Sequence, residues 1–126
     1  SDALPHIKVV LLGAGLNAIW ENEASHEWML WCNICVALNW PEEQVLYFDT
    51  DTLSTEEAMY ATMEEVIESG VDSVLSMSFE HPFNEMLAQG VRVLEAADLS
   101  TLLVDPQAKQ AFYRQALALQ RGGESD

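Results

Sequence analysis

A three-layer α/β/α sandwich on a four-stranded parallel sheet is the fold this sequence predicts, on three observations. Short β-rich runs alternate with segments of helical length along the chain, the pattern of βαβ units with right-handed crossovers. The first run, Ile7-Lys8-Val9-Val10-Leu11-Leu12, is almost continuously apolar, as strands covered on both faces are. The chain has 126 residues, 49% of them hydrophobic, which suits one domain with a real core and argues against global disorder.

The opening run stops at Gly13-Ala14-Gly15, and a polar loop is expected from there through Asn22 and Ser25. Glu27 to Asn39 has helical length and ends before Trp40-Pro41. It is apolar on nearly every side, with Trp28, Met29, Leu30, Trp31, Cys32, Ile34, Cys35, Val36 and Leu38. Such a helix is buried on more than one side or covered by a partner. Gln44-Val45-Leu46-Tyr47-Phe48 reads as the second strand, closed by Asp49-Thr50-Asp51. Ser54 and Glu57 have the spacing of a capping box, and the helix they start ends at Gly70. Val71 to Met77 predicts the third strand, Phe83 to Ala88 a helical turn, and Val91-Arg92-Val93-Leu94 the fourth strand. One more turn is expected over Asp98 to Leu103. Asp105-Pro106 then supplies an N-cap and a first-turn proline for a last helix predicted over 106–120. The single domain spans residues 1–121, and residues 122–126 read as a disordered tail.

The charge is the outlier: 21 Asp and Glu against 5 Lys and Arg, a net charge of −16. Between Lys8 and Arg92 there is no Lys or Arg, while fifteen carboxylates fall in that interval. A direct grip on nucleic acid needs a basic footprint, and an acidic leaflet repels such a surface, so nucleic acid and membranes are excluded as direct partners. Only the last helix is basic, with Lys109, Arg114 and Arg121. The apolar runs fall far short of the roughly 18 to 20 residues that span a bilayer. Ser1-Asp2-Ala3 has neither the cationic start nor the apolar run of a signal peptide, and two cysteines do not make a disulfide framework. A cytoplasmic location is expected.

Gly13-Ala14-Gly15-Leu16-Asn17-Ala18 fits G-x-G-x-x-A directly after a strand, with Asp49 placed where a ribose-binding carboxylate would sit. The pattern alone reads as a dinucleotide site. Two arguments favour a plain tight turn and no cofactor. The expected loop at Glu21 to Ser25 puts the helix start about ten residues after the glycines, too far for its positive end to meet a pyrophosphate. Glu21, Glu23 and Glu27 also crowd negative charge around the place. Cys32-Asn33-Ile34-Cys35 is C-x-x-C, but in mid-helix, without the helix N-terminus that activates a redox thiol, and His6, His26 and His81 do not complete a zinc set. Ser76 and Ser78 lack the G-x-S-x-G frame and a nearby lysine, so no metal site, no catalytic residue and no enzymatic activity are expected.

The segments Ile34 to Leu46, Gln89 to Leu99, Leu102 to Pro106 and Lys109 to Leu117 fall in an order that resembles the psi subunit of bacterial DNA polymerase III, a clamp-loader accessory subunit. The resemblance covers about residues 7–118. Ala97-Asp98 stands in place of that family's Ala-Pro and Phe112-Tyr113 in place of its Leu-Trp, and the Ser54 to Gly70 helix is longer, so the chain reads as a divergent member. The resemblance implies a Rossmann-like, mononucleotide-binding-like sheet that binds no nucleotide. It also implies a non-catalytic bridge between the clamp-loader ATPase subunits and the chi subunit, which in turn contacts single-stranded DNA-binding protein. The family's N-terminal arm, which docks on the clamp loader, is expected to be lacking because the first strand begins near Ile7. Partner-binding residues are expected at Trp28 and Trp31 and at Phe112 and Tyr113. Two rivals stand beside this reading: a small nucleotide-binding α/β protein using Gly13, Gly15 and Asp49, and an acidic mimic of nucleic acid directed at a basic partner.

Overall fold

The computed structural model describes residues 6–124. Four strands, β1 (Val9–Gly13), β2 (Val45–Asp49), β3 (Ser73–Ser76) and β4 (Arg92–Glu95), form one parallel sheet in the order β2-β1-β3-β4. Strand β1 pairs with β2 from Val9 opposite Val45 to Gly13 opposite Asp49, so the turns that follow the two strands lie side by side. On its other edge β1 pairs with β3, and β3 with β4.

Alternation along β1 sorts the helices into two layers. Val9 and Leu11, with Leu75 of β3, face a core built from α1 (Leu16–Trp20), α2 (His26–Leu38), α5 (Leu99–Val104) and α6 (Pro106–Glu124). Val10 and Leu12, with Val74, face α3 (Glu56–Ser69) and α4 (Phe83–Leu87) through Val66, Phe83 and Leu87. All four of these β1 side chains are fully buried, each worth about 1.5–3 kcal/mol relative to exposure. The three-layer α/β/α fold is therefore the one the alternation of elements predicts. Among the described residues, no helix is long and apolar enough to cross a membrane.

Local signals explain most of the ends. The Ser25 hydroxyl accepts the Trp28 N–H at 3.0 Å and starts α2, and Asn39, in the left-handed conformation at φ 58°, ends it. Gly70, at φ 82°, closes α3. Three expectations are corrected. The N-cap of α3 is Thr55, whose hydroxyl accepts the Ala58 N–H at 3.1 Å; with the cap one residue past Ser54, the third helical position is Ala58 and Glu57 cannot close the capping box. The segment expected as loop after Gly15 begins with α1, because Leu16, Ile19 and Trp20, at helical spacing, pack against the sheet-side core. The last helix continues to Glu124, so residues 122–124 of the expected tail are helical; its two glycines cost about 1 kcal/mol each without removing a backbone bond. Residues 125 and 126 of that tail, and 1–5 of the expected domain, lie outside the described residues.

Candidate functional site

The chain leaves β1 toward β2 and returns across the sheet to β3, so the carboxyl edge between β1 and β3 is the switch point where α/β proteins hold ligands. Three turns meet there, after Gly13, after Asp49 and after Ser76. Gly15, at φ 75°, is the N-cap of α1, so the glycine motif does open a helix. That overturns the first argument made against a nucleotide.

The head of this helix is nevertheless occupied by the protein itself. Asp49 is buried, and both of its carboxylate oxygens are in use. Oδ1 accepts the Gly15 N–H at 2.9 Å and the Asp51 N–H at 2.9 Å, and Oδ2 accepts the Asn17 N–H at 3.0 Å. The donors that cradle a phosphate in a dinucleotide fold are thus bonded to a side-chain carboxylate. Asp49, expected in the nucleotide reading as a ribose ligand, instead ties the end of β2 to the β1–α1 turn. Gly13 serves packing: a Cβ there would sit 3.1 Å from Leu16 Cγ.

Behind this brace lies a buried polar network. Thr50 Oγ1 donates to Ser78 Oγ at 3.0 Å, and the Ser78 N–H donates to Ser76 Oγ at 3.3 Å. Asn84 Nδ2 donates to the Ser78 and His81 carbonyls at 2.6 and 2.7 Å, while its Oδ1 is buried with no partner among the described residues. His81 Nδ1 accepts the Phe83 N–H at 3.0 Å. These hydroxyls bond one another and the backbone, an arrangement that holds the β2 and β3 turns together and does not activate a nucleophile. Among the described residues, no group of three His, Cys, Asp or Glu could hold a metal ion.

Cys32 and Cys35 are free thiols within α2. Burial, and then the neighbouring Cys32, push the Cys35 thiol up to about 12. Burial, followed by the Glu23 and Glu42 carboxylates, raises Cys32. Both are protonated at neutral pH, the reverse of a redox pair.

The four residues expected at a partner interface separate. Trp31 and Phe112 are 3% and 2% exposed and belong to the core; they are corrected from interface to packing residues. The reason is that α2 is enclosed by the sheet on one side and by α1, α5 and α6 on its flanks, which consumes most of its apolar circumference. Trp28 and Tyr113 are half-buried at the margin of that core. Met29 and Val36 carry the outward side of α2, Val36 at 82% exposure.

Two features escaped the sequence reading. Trp20 stacks on Tyr47 with centroids 4.2 Å apart and meets Trp28 edge-on at 5.2 Å, which makes an aromatic cluster of residues from α1, β2 and α2. The helical spacing of Leu16, Ile19 and Trp20 was the available signal. A groove of about 520 Å³ also runs between the end of β4 and α6, lined by Glu95, Ala96, Ala97, Ala108, Phe112 and Gln115. The Gln115 amide donates to the Glu95 carbonyl at 2.7 Å and bridges it.

No family model, curated protein or solved structure matches the chain.

Proposed function

We propose that this chain is a non-catalytic adaptor, similar to the psi subunit of the bacterial DNA polymerase III holoenzyme, joining the clamp-loader ATPase subunits to a chi subunit in the cytoplasm. The observation that carries the reading is the closure of the Gly13–Gly15 turn by Asp49. A sheet of mononucleotide-binding type whose phosphate-facing donors are spent on an internal carboxylate serves as a scaffold. The family resemblance implies the same use.

The segments that carry the resemblance support it by their placement. Ile34 to Leu46 takes in the end of α2 and the start of β2, Gln89 to Leu99 holds β4, and Leu102 to Leu117 spans the end of α5 and most of α6. They lie in one layer and in the sheet it covers, while the longer α3 lies in the opposite layer. Exposed apolar side chains on the resembling layer, Val36 and Val104 at 82% and 80%, supply contact area for a protein partner.

The test is reconstitution with the chi and clamp-loader ATPase subunits of the same cell. A stoichiometric complex at about 10 μM of each protein supports the reading, and free components at that concentration contradict it. Calorimetry with NAD, ATP and GMP addresses the rival. Binding of any of them, lost on substitution of Gly15, would replace the adaptor with a nucleotide-binding protein.

A further inference from the structure

We propose that the open edge of β4, with the groove between it and α6, takes an extended acidic segment of a partner protein as a fifth strand of the sheet. The inference goes beyond the adaptor reading: the backbone at the edge selects a strand, and no resemblance enters.

Strand β4 bonds to β3 on one side only. The Arg92 and Ala96 N–H groups donate to the Asp72 and Ser76 carbonyls at 2.9 and 2.8 Å. Backbone direction alternates along a strand, so Val93 and Glu95 turn their N–H and C=O groups outward. Among the described residues, the Val93 N–H and C=O and the Glu95 N–H have no partner on that side. The outward carbonyl that is bonded, that of Glu95, accepts the Gln115 side-chain amide at 2.7 Å. A primary amide thus already stands where the N–H of an added strand would donate. An edge of this kind is a template for a further strand.

The groove receives the side chains of that strand. Leu94 and Ala96 face the α6 layer and Val93 the opposite one, and an added strand alternates in the same way. Side chains on its α6 face enter a space of about 520 Å³ walled by Ala96, Ala97, Ala108 and Ala111 over Phe112. None of these four walls extends beyond Cβ, which leaves room for aliphatic side chains.

Charge selects the occupant. Arg114 lines the groove from α6, exposed and with no carboxylate or hydrogen-bond partner among the described residues. The other charged lining residue, Glu95, follows the alternation of Val93 and turns its side chain to the opposite face. From Arg92 to Arg121 four Lys or Arg stand against three Asp or Glu, in a chain of net charge −16. An acidic side chain on the groove face of the added strand meets an unpaired guanidinium here. Repulsion from distant carboxylates is screened beyond about 8 Å at physiological salt.

The other edge of the sheet is the internal control. On β2 the Val45 N–H donates to the Glu42 carbonyl, and the Asp49 carbonyl accepts the Thr52 hydroxyl at 2.7 Å, so the chain itself closes both ends. Glu42, Glu43 and Asp51 flank that strand, all exposed, and turn an acidic segment away.

The experiment titrates the ¹⁵N-labelled chain at about 0.15 M salt with the blocked peptide acetyl-Thr-Val-Thr-Glu-Thr-Val-amide and with its analogue carrying Lys in place of Glu. The Glu peptide is expected to shift the Val93 and Glu95 backbone N–H signals and the Gln115 side-chain amide, with a Kd about threefold or more below that of the Lys peptide. Arg114→Gln, a substitution at an exposed position, should remove that difference. Of two forms of the Glu peptide N-methylated on alternate residues, one should bind about tenfold more weakly than the other, because only one set of N–H groups faces β4. No shift at Val93 and Glu95 at about 1 mM peptide, equal Kd values for the Glu and Lys peptides or for the two methylated forms, or shifts centred on β2 would each overturn the proposal. So would Val93 and Glu95 shifts that grow with protein concentration alone, which would give the edge to a second copy of the chain. The titration needs no chi subunit, so failure of the adaptor reading and failure of this inference are read separately.

Discussion

Replacing Asp49 tests the brace that closes the sheet edge. Its carboxylate accepts three backbone N–H bonds, two on Oδ1 from Gly15 and Asp51 and one on Oδ2 from Asn17. Hydrogen bonds to a charged group are worth about 1.5–3 kcal/mol each, and the freed donors in the partly buried turn regain some of that from water. Asp49→Ala, which loses all three, should therefore cost about 3–4 kcal/mol. Asp49→Asn can keep the two bonds on its single oxygen but turns its NH₂ toward the Asn17 N–H, so it should cost about 1.5–2 kcal/mol. Urea unfolding followed by circular dichroism measures both, as a fall in midpoint at unchanged slope. In a domain of this size the alanine variant should also melt about 10 °C or more below the parent. The order parent, Asn, Ala is the signature. An Asn variant as stable as the parent, or an Ala variant within about 0.5 kcal/mol of it, would refute the three-bond account.

Further outcomes follow from the same structure. Trp31→Ala should cost about 3–5 kcal/mol because it opens a cavity in the core, whereas Val36→Ser on the exposed side of α2 should fall within about 0.5 kcal/mol, both read from urea midpoints. Thr55→Ala should cost about 1 kcal/mol by removing the α3 N-cap, and Ser54→Ala almost nothing, which separates the observed cap from the expected one. Cys35 has its pKa raised by folding from 9.0 to about 12, so the native state holds a proton that the unfolded chain releases. Its contribution is fully present below pH 9 and is lost as pH rises from there toward 12; Cys35→Ala should flatten that part of the stability profile. Association with chi should slow as salt rises while dissociation changes little, measured by stopped flow at several ionic strengths.

The sheet was legible because its strands are short apolar or β-branched runs bounded by Gly, Asp and Pro, and Asp105-Pro106 marked the start of α6 directly. Helix α1 was not, since five residues are too few for periodicity to outweigh the polar stretch that follows. Asp49 after a strand that follows G-x-G reads equally as a ribose ligand or a turn brace. The register that sets Gly13 opposite Asp49 decides between them, and register is a long-range fact. Trp31 was misplaced because α2 is apolar on almost every side and so does not say which side meets the sheet. Phe112 was readable: Phe112, Ala116 and Leu119 recur at helical spacing in a helix that is otherwise polar, and all three are buried. The Trp20–Trp28–Tyr47 cluster joins residues up to 27 positions apart and could emerge only from the packing of α1 against β2.

The exposed carboxylates fit the same picture. Of the fifteen carboxylates between Lys8 and Arg92 thirteen are exposed, and no Lys or Arg in that stretch balances them; under the proposed adaptor reading they would speed encounter with a basic partner surface while apolar contacts set the lifetime of the complex.

Sedimentation velocity of the chain mixed with its cell's chi subunit, with and without the clamp-loader ATPase subunits, tests the adaptor account most directly. The account predicts one co-sedimenting species of equal stoichiometry with chi at about 10 μM. Separate boundaries for the chain and chi at that concentration would contradict it.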